Sequence, residues 1–297
     1  MNELPGVVMT LTVNRGTSWV FRRAGSPLLV VLLALSATAT TGGQTPGGIR
    51  DWDDGIKYAR GQNVVPVFEG WVPNPDGTFS LIFGFWNRNW EETVFIPIGS
   101  DNRIEPGGPD RGQPTVFTPR RGKNLFEIVV PKDFGKQEVV WTVTSRGKTE
   151  KAFGALVNQQ MLTRRMVMAG GSLAANAAAG NDDVGDEADP NKPPSVTIDS
   201  VPPVAVPGPA TLVAAIKDDG RGAARGLEAS PVKVAWSLYR GPTFITFERA
   251  GSDALTPTGG KATTMVRFKA PGTYVLRATA TDAGGLAVNK DVTVVVK

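Results

Sequence analysis

Aromatic and polar side chains are concentrated between residues 71 and 91, and they are the residues of this chain best suited to binding a partner. Trp71, Trp86 and Trp90 offer flat apolar faces that stack on sugar rings. Polar groups for sugar hydroxyls stand beside them at Asn87, Arg88, Asn89 and Glu91. The alternative is a core position, because burying one aromatic ring contributes about 2 kcal/mol. We expect most of these rings in the core, with Trp86 and Trp90 the most exposed, as contacts for carbohydrate or another partner.

Three aspartates form a second candidate site. Asp218, Asp219 and Asp282 lie at two loops, and they supply the hard oxygen ligands that Ca²⁺ prefers if both loops meet at one end of a domain. Asp next to Gly also favours turns without any metal, and turn chemistry is the favoured interpretation. The sequence therefore predicts no required cofactor, with calcium at these aspartates as the alternative.

Catalysis has weaker support in the sequence. The chain has no cysteine and no histidine, which excludes Ser-His-Asp and Cys-His sites and zinc sites built from those residues. A glycosidase needs two carboxyl groups at a fixed separation, and Glu91, Glu105 and Asp110 are available. The last two lie in the irregular stretch 100–112, where salt bridges with Arg103 and Arg111 are the simpler expectation. We therefore expect a protein that is not an enzyme.

Composition limits the partners. The chain has 297 residues, of which 41% are hydrophobic and 20% are charged, as in ordinary globular proteins. The formal net charge is +4, and no cluster of Lys and Arg alternates with aromatic residues along the sequence. The pattern predicts no nucleic-acid partner. Without disulfides, each domain must be stabilised by burial alone, as domains of roughly 100 residues are.

The first 39 residues predict a signal peptide. Arg15, Arg22 and Arg23 form a basic region, an apolar run covers 28–35, and Ala37 and Ala39 form a cleavage site. The apolar run is shorter than the roughly 20 residues that cross a bilayer, although a buried N-terminal helix is an alternative. We expect export to the periplasm or the outside, and no membrane span in the mature chain.

The remaining sequence is typical of two β-sheet domains. Residues 40–62 read as a disordered or loosely packed segment, 63–157 as a sandwich, 158–192 as a linker with a short helix and an acidic run, and 193–297 as a second sandwich. The Pro-Asp-Gly turn at 75–77 separates two alternating runs, as in a β-hairpin. The predicted fold class is all-β: two antiparallel Ig-like β-sandwich domains joined by a flexible linker with a short helix, after an N-terminal signal peptide.

The run Pro-Gly-Thr-Tyr-Val-Leu-Arg-Ala-Thr-Ala-Thr-Asp at 271–282 resembles strand F of the polycystic-kidney-disease (PKD) repeat and related bacterial Ig-like modules. Trp236, followed by Gly241 and Pro242, resembles the middle of the same module, and 193–198 resembles its opening. The resemblance to a PKD/Ig-like module covers 193–297 and implies a sandwich with Trp236 between the sheets. It also fits a tyrosine corner at Tyr274, whose hydroxyl would bond to upstream backbone.

These observations favour a non-catalytic exported binding or scaffold protein of the bacterial cell envelope. Its loops would contact an envelope polysaccharide or another exported protein. The alternatives are a carbohydrate-binding protein that uses the aromatic residues of the first domain and, with less support, a hydrolase that uses carboxylates or a metal. The exposure of Trp86 and Trp90 distinguishes the first two interpretations.

Overall fold

The computed structural model describes residues 57–170, 191–222, 230–249 and 253–297. The predicted signal peptide at 1–39, most of the predicted loose segment at 40–62 and linker residues 171–190 lie outside these ranges and stay predictions. The described chain is built from antiparallel β-sheets with one short α-helix, which confirms the predicted fold class.

The first half is a sandwich of three sheets. One sheet has the order β1-β2-β6, a second has β4-β7-β8, and a small third sheet pairs β3 with β5. The strands are β1 Val64–Pro73, β2 Phe79–Asn87, β3 Val94–Phe95, β4 Asn102–Glu105, β5 Val116–Phe117, β6 Arg120–Val130, β7 Val139–Ser145 and β8 Lys148–Gly154.

The predicted hairpin turn between β1 and β2 is confirmed. The backbone N–H of Asn74 donates to the Thr78 carbonyl at 2.9 Å, and Gly77 has a φ of 84°, which glycine adopts at no steric cost. The Asp76 carboxylate accepts from the Thr78 N–H at 3.0 Å and from its hydroxyl at 2.6 Å. These bonds fix the register in which β2 presents Phe83 to the core.

Aromatic rings fill the first core. Trp141 is fully buried and contacts Phe83, Phe117 and Phe126, with ring centroids 5.1 to 6.3 Å apart. Close approach of β8 to these rings requires glycine, because a Cβ at Gly154 would lie 2.6 Å from the Phe83 ring. The core is therefore packed too closely for a side chain at that position.

Strand β4 lies inside the stretch 100–112 that the sequence indicated as irregular. Its Asn102 is fully buried, and its amide donates to the carbonyls of Ile96 and Pro114 at 3.0 and 2.8 Å. The Oδ1 atom of the Asn102 side chain accepts from the Trp141 indole N–H at 2.9 Å. In the sequence, Asn102 cannot be distinguished from a polar loop residue, although its side chain accepts the hydrogen bond of a buried tryptophan. This is why the sequence did not predict strand β4.

The chain after β8 lies along the first sandwich. It forms a 3₁₀ turn at Asn158–Gln160 and a short helix, α1 Arg164–Met168, in agreement with the predicted short helix. Thr163 caps α1 by accepting from the Met166 N–H at 3.1 Å. The Leu162 N–H donates to the Trp71 carbonyl at 2.8 Å, so this stretch is tied to β1.

The second half is a sandwich of two four-stranded sheets with the orders β12-β14-β10-β9 and β13-β11-β15-β16. Its strands are β9 Ser195–Ile198, β10 Pro209–Lys217, β11 Lys233–Arg240, β12 Ile245–Phe247, β13 Asp253–Ala254, β14 Gly259–Phe268, β15 Gly272–Thr281 and β16 Ala287–Val296. After β9 the chain crosses to the other sheet, where Val204 pairs in parallel with Val296 at the edge of β16.

Two sequence predictions about this second core are confirmed. The Tyr274 hydroxyl donates to the Ala270 carbonyl at 2.8 Å, which is the tyrosine corner. Trp236 packs against both clusters of buried residues between the two sheets. The PKD family as such stays a prediction, whereas the Ig-like sandwich is present.

The two sandwiches have separate cores and contact each other directly. The end of β11 reaches the loop before β5: the Tyr239 hydroxyl donates to the Gly112 carbonyl at 2.6 Å, and the Thr115 N–H donates to the Tyr239 carbonyl at 3.3 Å. Arg240 adds a two-pronged ion pair with Asp110, with distances of 2.8 and 3.1 Å. The predicted boundaries at 157 and 193 stay predictions.

Arg277 lies at the centre of this contact. Its guanidinium forms two bonds with Asp291, at 2.7 and 2.9 Å, and donates to the Leu125 carbonyl of the first sandwich at 2.6 Å. It also lies 3.6 Å above the centroid of the Tyr239 ring. Burial raises the pKa of the Tyr239 hydroxyl to about 12, so Tyr239 stays a neutral donor to Gly112.

Replacing Tyr274 with Phe removes the corner bond and leaves the ring in place. We expect Y274F to lower the free energy of unfolding by about 1 kcal/mol in urea titration, because the hydrogen bond to the half-buried Ala270 carbonyl is lost. The matched control is Y58F, since Tyr58 is half exposed and its substitution should change stability by less than about 0.5 kcal/mol. Equal effects of both substitutions would contradict the role of the corner.

Replacing Arg277 with Lys keeps the charge and removes the fork geometry. We expect R277K to lower stability by about 1–3 kcal/mol and to separate the unfolding of the two sandwiches in calorimetry, because Leu125 and Asp291 cannot both be bonded. The control is R267K on the exposed face of β14. A single transition with an unchanged midpoint in R277K would show that Arg277 does not couple the halves.

Candidate functional site

Trp71 lies in the core of the first sandwich. Its side chain is 8% exposed, its indole N–H donates to the Val157 carbonyl at 2.8 Å, and its ring meets Phe79 edge-on. Trp71 is therefore a core residue, which was the alternative to a contact residue, and its ring is not available to a partner.

Trp86 lies on β2 and Trp90 lies in the loop that follows it, and both are exposed, in agreement with the prediction that they are the most exposed of these rings. Trp86 is 56% exposed and Trp90 is 38% exposed. Trp86 is opposite Val65 on β1 and Arg121 on β6. A large apolar ring with more than half of its surface in water gains little from folding, so its indole is available for contact.

The ring of Trp90 is covered by two cations. The guanidinium carbon of Arg120 lies 3.4 Å from the ring centroid, and the ammonium nitrogen of Lys57 lies 4.4 Å from it. Both distances are within the range of cation–π attraction. Trp90 therefore holds two positive charges in place, and Trp86 is the ring left for stacking. We call Lys57, Tyr58, Trp86, Trp90 and Arg120 the tryptophan surface.

Two buried asparagines hold the loop that carries Trp90. The Asn87 amide donates to the carbonyls of Glu92 and Phe117, at 2.7 and 2.9 Å. Asn89 accepts from the Gln62 N–H at 2.6 Å and donates back to the Gln62 carbonyl at 2.9 Å. Both asparagines are fully buried, so they position backbone and do not face a ligand, contrary to the expectation that they would bind hydroxyls.

Arg120 has a backbone conformation that an L-residue rarely adopts. Its φ is 72°, and its N–H donates to the Asn89 carbonyl at 3.2 Å. A non-glycine residue in this region costs about 1 kcal/mol, which glycine would avoid. The arginine side chain at this position points to a role for its charge, and no sequence pattern signalled it.

The charge of the tryptophan surface is positive. Arg121, next to Arg120, is neutralised by Glu69 through contacts of 2.6 and 2.7 Å. None of the ion pairs found within the described ranges involves Lys57, Arg88 or Arg120. Among the residues that the structure describes, these three cations therefore have no carboxylate partner.

The predicted calcium ligands lie close to one another. Burial, and then the charges of Asp282 and Asp219, raise the pKa of Asp218 above its ordinary value of 3.8. The Asp218 Oδ1 atom is buried without a hydrogen-bond partner among the residues described, while Oδ2 accepts from the Gly220 N–H at 3.0 Å. Repulsion between neighbouring carboxylates is the condition that a cation relieves.

Much of this acidic cluster also serves the turns. Asp219 accepts from the backbone N–H groups of Lys192 and Arg221, at 3.1 and 3.0 Å. Asp282 accepts from the Leu286 N–H at 2.8 Å and from the Asn191 amide at 3.0 Å. Within the part of the chain that the structure describes, no group of three Asp, Glu, Cys or His residues is arranged to hold a metal ion. Calcium here stays a prediction.

The carboxylates nominated for hydrolysis have other partners. Arg240 lowers the pKa of Asp110, which holds this group charged at the contact between sandwiches and unsuited to donate a proton. Glu105 pairs with Arg103 at 3.2 Å. Glu91 is exposed at the tryptophan surface. The stretch 100–112 thus contains the predicted internal salt bridge and also the bridge to the second sandwich.

Solved structures with partial similarity contain bacterial surface modules. The adhesin InvE of Yersinia pseudotuberculosis aligns at 11% identity over 79% of this chain and 59% of its own, with a TM-score of 0.24. Domains 4 and 5 of the S-layer protein SbsC align at 14% identity over 66% of this chain and 78% of that chain, with a TM-score of 0.21. This chain thus spans about three fifths of the adhesin chain.

Fibronectin(III)-like modules of Clostridium thermocellum CbhA align at 12% identity over 82% of this chain and 92% of that chain, with a TM-score of 0.22. No family model matches the sequence, and no curated protein matches it. Similarity of this extent does not bear on what the chain binds. In the described ranges, no helix has the length and hydropathy needed to cross a membrane.

Replacing Asp218 with Asn tests the acidic cluster. Since the folded-state pKa of Asp218 lies above 3.8, the folded protein gains stability from this group as the pH falls and loses it as the pH rises. We expect D218N to be at least as stable as the parent protein at neutral pH, with the difference shrinking toward pH 4. Thermal midpoints across that range check this, and a stability loss at neutral pH would contradict it.

Calcium titration of the same two proteins tests the alternative. A bound cation raises the thermal midpoint of the parent protein in proportion to its occupancy. The same rise in D218N would place the ion elsewhere, and no rise in either protein would leave the cluster as turn chemistry.

Proposed function

We propose that this protein is a non-catalytic exported binding and scaffold module, and that its tryptophan surface contacts the partner. The observation that carries the proposal is Trp86, which is 56% exposed and lies four residues before Trp90, the ring that holds two cations. Trp86 and Trp90 are not members of the core cluster of the first sandwich, which other aromatic residues fill.

The surrounding structure supports a binding role. Fully buried Asn87 and Asn89 fix the backbone beneath the tryptophan surface. A surface held before the partner arrives loses little conformational entropy on binding. The contact between the two sandwiches, through Arg277 and Arg240, adds a rigid support of the kind that a scaffold requires.

The partner belongs to the cell envelope in this proposal. An envelope polysaccharide is favoured over another exported protein, because one exposed indole suits a sugar ring, whereas a stable protein interface needs roughly 1,000 Å² or more of buried surface. The export that the sequence predicts brings the chain to such polysaccharides.

Replacing Trp86 with Ala tests the proposed contact. We expect the parent protein to bind members of a glycan array or isolated envelope polysaccharide without releasing reducing ends, and W86A to bind at least about tenfold more weakly. Unfolding of W86A should match that of the parent protein, because the ring is mostly in water.

The matched control is F153A, which removes an aromatic ring of 53% exposure on β8. It should keep full binding. Equal losses in W86A and F153A, or release of reducing ends by the parent protein, would contradict the proposal.

A further inference from the structure

The tryptophan surface combines one free ring with two fixed positive charges, and this combination restricts its ligand. Trp86 has no ring contact among the described residues, whereas Trp90 is occupied by Arg120 at 3.4 Å and Lys57 at 4.4 Å. A neutral sugar would use the ring and leave both cations without a counter-charge. An acidic sugar chain uses both features.

We infer that the tryptophan surface binds an acidic polysaccharide, in which one sugar ring stacks on Trp86 and carboxylate groups of the chain meet Arg120 and Lys57. This inference rests on the proposed function and names the chemical class of its ligand. Within the described ranges, the charge complementarity comes from the exposed cations Lys57 and Arg120 of the tryptophan surface, with exposed Arg88 and the exposed acid Glu91 in the adjoining loop.

The neighbouring Arg121 has a structural role and differs in this respect from Arg120. It lies on the same strand as Arg120 and is held by Glu69 and by the Phe85 carbonyl, at 2.6 and 2.8 Å. Arg120 has neither kind of partner for its guanidinium apart from the Trp90 ring, within the described ranges. The protein therefore neutralises one arginine and keeps its neighbour charged.

The backbone of Arg120 is a second, independent observation. Its φ of 72° would suit glycine, and its N–H is fixed by the Asn89 carbonyl, which belongs to the buried network under the surface. The geometry is set by the loop, and the side chain adds charge at an unfavourable position. A ligand that needs this guanidinium accounts for an arginine here.

A nucleic acid is the other polyanion with planar groups. Single-strand binding uses successive aromatic rings along a basic groove, whereas this surface offers one free ring. The observations therefore favour the acidic polysaccharide, and a nucleic acid becomes an outcome of the test.

The experiment measures binding of the full chain to polygalacturonate, to the same polymer after its carboxyl groups are reduced to alcohols, and to single-stranded oligothymidylate. The two polysaccharides differ only in charge. We expect binding to polygalacturonate that weakens as salt is added, because exposed charges are screened. We expect the reduced polymer to bind at least about fivefold more weakly, as two exposed ion pairs are lost.

Two variants test whether Arg120 and Lys57 are the cations that contact the polysaccharide. R120G removes the guanidinium and relieves the backbone, so its thermal midpoint should stay close to that of the parent protein while its affinity for polygalacturonate falls about two- to fivefold. K57Q should show a similar fall. R267K, on the exposed face of β14, is the control and should bind as the parent protein does.

The outcomes separate this inference from the proposed function. Equal binding of both polysaccharides, lost in W86A and kept in R120G, would overturn the acidic ligand and leave the binding module intact. Tighter binding of oligothymidylate than of polygalacturonate would overturn the ligand class. No binding of either polysaccharide, together with an empty glycan array, would overturn both.

Discussion

The Arg277 guanidinium is the interaction on which the arrangement of the described chain depends. It donates hydrogen bonds to the Asp291 carboxylate within its own sheet and to the Leu125 carbonyl of the first sandwich, and it lies on the Tyr239 ring. A buried guanidinium is costly to desolvate, so these partners must all be present for it to be tolerated. The two cores do not merge, and the sandwiches are joined by this polar contact, by the neighbouring Arg240–Asp110 pair and by the edge-on contact of Phe95 with Phe244.

The sequence predicted what depends on alternation and local turn chemistry. The hairpin at 74–77 follows from a pattern within about ten residues, the range over which strand periodicity is informative. The tyrosine corner at Tyr274 follows from the resemblance of 271–282 to a strand of an Ig-like module. Strand β4 was not predicted, because its polar Asn102 is buried as the hydrogen-bond acceptor of Trp141, which is 39 residues away. The contact between sandwiches was missed for the same reason, since Arg240 and Asp110 are 130 residues apart.

In the candidate site, too, local features were predicted and contacts between distant residues were not. Trp86 and Trp90 were expected to be the most exposed rings of the region 71–91, and the structure agrees. The two cations on Trp90 come from residues 33 and 30 positions away on either side, so no local pattern placed them there. Asn87 and Asn89 resembled ligand groups by type, and only their burial shows that they support the loop.

The parallel pairing of Val204 with Val296 covers one border of the second sandwich. Three backbone hydrogen bonds join 204–206 to the last strand: Val204 to Val295, Val206 to Lys297, and Lys297 to Val204. An unpaired strand at this border would template the addition of a foreign strand. Because these donors and acceptors are used within the chain, this border offers fewer free backbone groups for pairing with a strand of a neighbouring copy.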